Sequence, residues 1–203
     1  MEKMMSKDFY CLRNCDIIAP FNKNGAIMKN TRKLIYTAMM TAIIAACSWI
    51  SIPAVVPFTL QTFGVFLTVG LLGGKRGSMA VLVYILLGAA GIPVFSGFTG
   101  GIGRLLGNTG GYIVGFLASA LVMWALEKVM GRKTWALAVQ MVLGLIACYA
   151  IGTVWFMVVY SGTSGAVGLM TVLGWCVIPF IIPDLIKIAM ALVLTKRLSF
   201  LFR

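Results

Sequence analysis

At 203 residues the chain is short, and 61% of it is hydrophobic, with a mean hydropathy of +1.00; these values describe an integral membrane protein. The length leaves room for about six short helices at roughly 1.5 Å rise per residue, and for no soluble catalytic domain. The net charge of +12 would suggest nucleic acid in a soluble chain. Here the basic residues stand in twos and threes at the ends of apolar runs, where anionic lipid and the insertion machinery read them, so nucleic acid is discounted as a partner.

In chain order, the first 27 residues are mixed and polar and carry Glu2, Asp8 and Asp16, three of only five acidic residues. Met28 then opens a compact basic run, Met28-Lys29-Asn30-Thr31-Arg32-Lys33, directly before the first apolar segment. That run looks like the true N-terminus of a bacterial membrane protein. Residues 1–27 are expected to be a disordered extension or an over-called start, and they lack the apolar core of a signal peptide. Residues 28–203 are expected to form one membrane domain, all-α, with six transmembrane helices.

Apolar length, with breaks at Pro, Gly and charge, predicts the spans. Helices are expected over 34–50, 58–72, 78–94, 112–126 and 135–160. Between them lie a loop with Pro53 and Pro57, a basic turn at 73–77, a glycine-rich segment at 96–111, a second basic turn at 127–133 and a polar break at 161–165. Residues 166–182 are uncharged and long enough to be a span of their own before a last helix over 183–198. Charge decides between six spans and seven. With six, and a cytoplasmic N-terminus, Lys29, Arg32, Lys33, Lys75, Arg76, Lys128, Arg132, Lys133, Lys196, Arg197 and Arg203 all fall inside, and Arg104 alone lies in an outer loop. A seventh span would put Lys196, Arg197 and Arg203 outside. Residues 166–182 are therefore read as a segment packed on the outer side, leading through Pro179 and Pro183 into the sixth helix. Both termini are expected to be cytoplasmic, in the plasma membrane of a bacterium.

Three charges remain inside the membrane part: Arg104, Asp184 and Lys187. A charge kept at membrane depth costs at least about 2.5 kcal/mol, so it marks a binding or conducting site. With six spans all three lie toward the outer side. Pro183 suits the first position of a helix, which would set Asp184 near a helix N-terminus that favours its ionised form. Lys187 is three residues on and projects from the same face. The plainer alternative is an Asp184–Lys187 ion pair that only neutralises itself, but such a pair is seldom better than apolar packing.

Other chemistries find little support. Five cysteines form no CxxC pair, and neither a disulfide framework nor a metal site is implied. The chain has no histidine, one carboxylate in its last helix and no nucleophile–base pair, so it is not read as an enzyme. It carries no P-loop, and the Gly101-Ile102-Gly103 run with Gly107 follows no strand. On the first helix, Ala38, Ala42 and Ala46 recur every four residues, a small-residue face that permits close helix approach. Packing within the bundle and docking of a partner both fit that face.

Four ordered motifs then resemble one family: Pro57-Phe58-Thr59-Leu60-Gln61-Thr62-Phe63; Leu87-Gly88-Ala89-Ala90-Gly91-Ile92-Pro93-Val94-Phe95; Gly100-Gly101-Ile102-Gly103 leading to Thr109-Gly110-Gly111-Tyr112; and Pro179-Phe180 with Pro183-Asp184-Leu185-Ile186-Lys187. They are similar to the BioY family, the biotin-binding S components of energy-coupling factor (ECF) transporters. Asn108 departs from the pattern, which has Pro before Thr-Gly-Gly-Tyr.

The resemblance implies a high-affinity biotin-binding subunit of a vitamin uptake transporter, with biotin as transported ligand and no cofactor. Its partners would be a transmembrane coupling subunit, two ATPase subunits reached through it, and membrane lipid. Biotin offers two ureido N–H donors, a carbonyl acceptor, an apolar bicycle and a carboxylate, each needing a match in a mostly apolar pocket. Asp184 suits the ureido N–H groups, and Lys187 or Arg104 suits the ureido carbonyl or the carboxylate. Thr59 and Gln61 are expected to add hydrogen bonds. Gly97, Gly100 and Gly101 would let backbone approach the ligand, and Phe95, Phe98 and Tyr112 would wall the bicycle. In the family, the Ala38, Ala42 and Ala46 face resembles the AxxxA surface that docks on the coupling subunit. The competing readings are a self-sufficient facilitator or proton-linked carrier using Asp184, and a small intramembrane enzyme.

Overall fold

The computed structural model describes residues 18–52, 56–164 and 168–202. The expectation for residues 1–27 lies outside them as far as residue 17. By its internal contacts the chain divides into the units Met1–Tyr36 and Thr37–Arg203; everything below concerns the second, apart from the first turns of helix α1.

Eight α-helices are found among the described residues: α1 Ile18–Trp49, α2 Gln61–Leu72, α3 Gly74–Ala89, α4 Ile102–Leu106, α5 Gly110–Met130, α6 Thr134–Ser164, α7 Leu169–Cys176 and α8 Ile178–Leu198. A two-stranded antiparallel ladder, β1 Ser51–Ile52 with β2 Phe58–Thr59, closes the loop before α2. Among the described residues, three stretches are long and apolar enough to cross a membrane: Gly110–Met130, Thr134–Gly162 and Leu169–Leu198.

The element boundaries depart from the sequence reading in several places. Helix α1 is already present at Ile18, the first described residue, well before the expected start at residue 34. No Pro or Gly falls between Gly25 and Trp49, and the lysines and arginine at 29–33 are good helix formers, so nothing stops the helix there. The expected basic turn at 73–77 shrinks to Gly73, whose φ of 83° suits glycine. Lys75 and Arg76 already belong to the first turn of α3. The short helix α4 stands where a loop was expected, with Arg104 on it. Residues 161–164 continue α6, and the remainder of that break, at 165–167, falls outside the described residues.

Most consequential is α8, which begins at Ile178 and has Pro183 inside it. Pro179 rather than Pro183 sits in the first turn, so Asp184 is nearly two turns from the helix N-terminus. Terminal partial charge falls off within the first turn, and other groups must hold this carboxylate.

The core lies where α2, α3, α5, α6 and α8 meet. Every residue of α2 except Phe63 is buried. Helices α5 and α6 approach closely through glycines: a Cβ on Gly115 would stand 3.0 Å from the Cys148 carbonyl oxygen, and one on Gly144 would stand 2.6 Å from Ser119 Oγ. Thr41 on α1 hydrogen-bonds the Ala80 carbonyl of α3 at 3.1 Å.

The break between α2 and α3 is closed from the end of α5 and the turn beyond it. Arg132 Nη2 donates to the Gly70 and Leu71 carbonyls at 2.5 and 3.3 Å, Glu127 accepts from the Gly74 amide, and Arg132 and Glu127 pair at 3.5 Å. Two carbonyls at the end of α2 and one amide at the start of α3, groups that helix ends leave orphaned, are thereby satisfied.

Candidate functional site

Asp184 and Lys187 lie one turn apart on α8, and each is only 3% exposed. Lys187 Nζ donates to Asp184 Oδ1 at 2.7 Å and to the Thr59 carbonyl at 2.7 Å, and it lies 4.2 Å from the centroid of the Phe58 ring. From α6, the Tyr149 hydroxyl donates to Asp184 Oδ2 at 2.5 Å. Two buried charges are tolerated only when paired and further hydrogen-bonded, and here each has the other plus one more partner.

The two charges are held but not exhausted. A carboxylate accepts about four hydrogen bonds and an ammonium donates three. Among the described residues, one bond to each Asp184 oxygen and two from Lys187 are in use. Both residues line one cleft that is open to solvent at its mouth. Its apolar walls include Pro57, Tyr112, Ile113, Phe116, Leu145 and Phe180; its polar points are Thr59, Gln61, Thr62, Ser96, Thr109 and Tyr149. Phe180 stacks on Phe58 at 5.8 Å, joining the wall to the ring beneath Lys187.

Arg104 also lines the cleft. Helix α4 hangs from the end of α3 by the Gly101 amide, which donates to the Gly88 carbonyl at 2.7 Å. The guanidinium reaches Ser96 Oγ at 3.5 Å. Among the described residues it has no ion-pair partner, since the two salt bridges are Arg132–Glu127 and Lys187–Asp184. The cleft thus contains one self-balanced ion pair and one uncompensated cation.

Of the residues singled out from sequence, Thr59, Gln61, Arg104, Tyr112, Asp184 and Lys187 line the cleft together. Gly97, Gly100, Gly101, Phe95 and Phe98 do not. Phe95 is 1% exposed and meets Tyr84 edge-on at 5.6 Å, a core contact. Phe98 is 64% exposed and stacks on Trp49 at 5.0 Å, while Trp49 Nε1 donates to the Pro93 carbonyl at 2.9 Å. Gly97 and Gly101 have φ of 72° and 94°, and a Cβ on Gly100 would stand 2.5 Å from the Ile92 carbonyl oxygen. These glycines let the loop fold on itself.

Tyr149 is the principal residue that sequence reasoning missed, with Thr62, Ser96, Thr109 and Phe180 beside it. A usable signal exists: Tyr149 sits mid-way along a 31-residue apolar helix, and a buried tyrosine hydroxyl seeks a polar partner. Ala38, Ala42 and Ala46 are all exposed, while Thr41, Ile44, Ala45 and Ser48 of the same helix are buried. The small-residue face is therefore turned away from the bundle.

Comparison with known proteins places the chain in a family. The BioY family profile matches residues 21–203. The biotin transporter BioY of Thermotoga maritima is 42% identical over 169 residues, covering 83% of this chain and 96% of that protein. The biotin transporter BioY of Rhizobium etli is 34% identical over 183 residues, covering 82% and 92%. Among solved structures, the S-component for biotin from an ECF-type ABC transporter superposes with a TM-score of 0.75 at 29% identity, over 86% of this chain and 97% of that one. Sequence profile, full-length relatives and fold coincide, and the chain belongs to the BioY family.

Proposed function

We propose that this chain is the biotin-binding S component of an ECF-type vitamin uptake transporter, energised by separate ATPase and transmembrane coupling subunits. The observation that carries the reading is the buried Asp184–Lys187 pair opening on the same cleft as an uncompensated Arg104. A ureido ring brings N–H donors for the remaining acceptor capacity of Asp184 and a carbonyl for the remaining Lys187 donor. The bicycle fits between Tyr112, Phe116 and Phe180. The carboxylate goes to Arg104, because Lys187 is already engaged by Asp184 and Thr59, and a guanidinium suits a carboxylate best. Thr59 and Gln61 complete the polar lining.

The deciding experiment is in two parts. Calorimetric titration of the purified chain with biotin should give saturable, one-to-one binding, and mass spectrometry should find biotin in protein purified from fed cells. Uptake by cells carrying this gene alone, compared with cells also carrying the ATPases and the coupling subunit, then separates a subunit from a self-sufficient carrier. Full uptake by the chain alone would sink the subunit reading.

In this proposal six helices span the plasma membrane, α1, α2, α3, α5, α6 and α8, with both termini cytoplasmic and the cleft open to the outside. The distribution of basic residues supports that side assignment. Lys75, Arg76, Lys128 and Arg132 line one depression, and Arg132 with Lys196 lines a second, while the cleft is lined by Arg104 and Lys187. Clustered Lys and Arg at span ends mark the cytoplasmic side. The exposed Ala38, Ala42 and Ala46 stripe is the docking face for the coupling subunit; its exposure favours docking over packing within the bundle.

A further inference from the structure

Gln61 opens α2, lines the cleft and is 4% exposed, so the orientation of its amide decides what the site presents. Its Nε2 donates to the Tyr84 hydroxyl at 2.8 Å, and the Tyr84 hydroxyl lies 3.1 Å from the Val94 carbonyl. A carbonyl only accepts, so it takes the single proton of the phenol; the phenol oxygen is then an acceptor that only the NH₂ edge of an amide can meet. The direction of the amide is in this way fixed by the backbone.

The chain of bonds is anchored at its far end. Ser48 of α1 also donates to the Val94 carbonyl, and the Tyr84 ring is fully buried, held edge-on against Phe95. Gln61 Oε1, by contrast, makes no hydrogen bond among the described residues. Nor is it one of the fully enclosed atoms that lack a partner.

We propose that Tyr84 is a positioning residue for ligand recognition: it locks the Gln61 amide with its carbonyl toward the cleft, so that the site offers a second acceptor besides Asp184. The group read is a cyclic urea, two N–H donors flanking one carbonyl, with Lys187 supplying the matching donor. This rests on the biotin-binding reading above and adds to it a discrimination: a ring carrying an oxygen in place of either N–H leaves a buried acceptor facing an acceptor and is rejected.

The test is equilibrium titration of the full chain in detergent with biotin and with two cyclic carbamate analogues, each having a ring oxygen in place of one ureido N–H. Tyr84→Phe keeps the ring and its packing and frees the amide. Biotin binding is expected to weaken about two- to tenfold, the value of one neutral hydrogen bond. Discrimination against one of the two carbamates should shrink by the same factor, while discrimination against the other, read by Asp184, is kept. General loosening of the site would lower affinity for all three ligands alike and leave both ratios unchanged. Gln61→Met, which keeps the side-chain length and removes the amide, should give the same selective loss and stands in if Tyr84→Phe does not fold. Unchanged ratios in a folded variant of either kind, with biotin still bound, overturn the proposal and leave the functional reading standing. If the wild-type chain does not bind biotin, that reading falls and takes the proposal with it.

Discussion

The Tyr149 hydroxyl on α6 and the Asp184 carboxylate on α8 meet at 2.5 Å, so an uncharged phenol is, among the described residues, one of two side chains that hold the buried carboxylate. The other, Lys187, comes from the same helix as Asp184. Tyr149 is therefore the link that ties the acid to a different part of the bundle. Tyr149→Phe preserves the ring in the wall and removes only this bond to a charged group, which contributes roughly 1.5–3 kcal/mol. Biotin affinity should fall about tenfold or more, read by calorimetry. An unchanged affinity would show that the carboxylate needs no support from α6.

Asp184→Asn and Lys187→Met separate stability from recognition. Each single change leaves the other group buried with a partner missing, so both melting temperature and affinity should drop, affinity by about tenfold to more than a hundredfold. The double variant leaves no lone charge and should recover much of the melting temperature. Its biotin affinity should stay at or below that of the worse single variant. Recovery of binding along with melting temperature would mean that the pair is structural only.

Arg104→Gln should act on one end of the ligand. For biotin, loss of a charged hydrogen-bond donor opposite a carboxylate predicts about tenfold to more than a hundredfold weaker binding. Biotin amide, which has no carboxylate, should bind wild type and variant equally. Equal losses for both ligands would place the effect in the α4 loop rather than at the carboxylate.

Two neighbouring alanines on α1 give a paired test of docking. Ala42 is exposed and Ala45 is 6% exposed. Ala42→Trp should leave biotin binding by the isolated chain near normal while abolishing assembly with the coupling subunit and ATPases in a pull-down. Ala45→Trp should damage folding itself, because added volume in a filled interior costs typically 1–3 kcal/mol. Retained assembly with Ala42→Trp would remove this face from the interface.

Apolar runs revealed where the main helices lie, because a chain in lipid must bury or satisfy every backbone group within helices, and few charges interrupt them. Their ends were less legible. The glycines and lysine at 73–75 have every local mark of a turn, yet α3 starts at Gly74, since Glu127 supplies its cap from 53 residues away. No local pattern carries that information. Pro183 misled for a related reason: a proline is favoured in a first turn, but Pro179 already fills that role.

The site divides along similar lines. Arg104, Asp184 and Lys187 stand out because charge in apolar sequence is conspicuous. Tyr149, Thr62 and Ser96 do not, since tyrosine, threonine and serine are ordinary in membrane helices, and only the fold brings them to the cleft. The loop glycines were conspicuous too, but Gly100 accommodates the loop's own backbone at Gly91 and Ile92, and Gly97 and Gly101 take positive φ.

Helix α2 has 12 residues, about 18 Å at 1.5 Å per residue, whereas a helix crossing roughly 30 Å of hydrocarbon needs about 20. Gln61, at its first turn, also lines the cleft. The vestibule is in effect the part of a helix that was never built, and whatever occupies it supplies the packing that two further turns would have given. An occupied chain should therefore melt later than an empty one by more than its polar contacts alone would suggest, because the occupant fills a hole in the bundle as well as bonding to its rim.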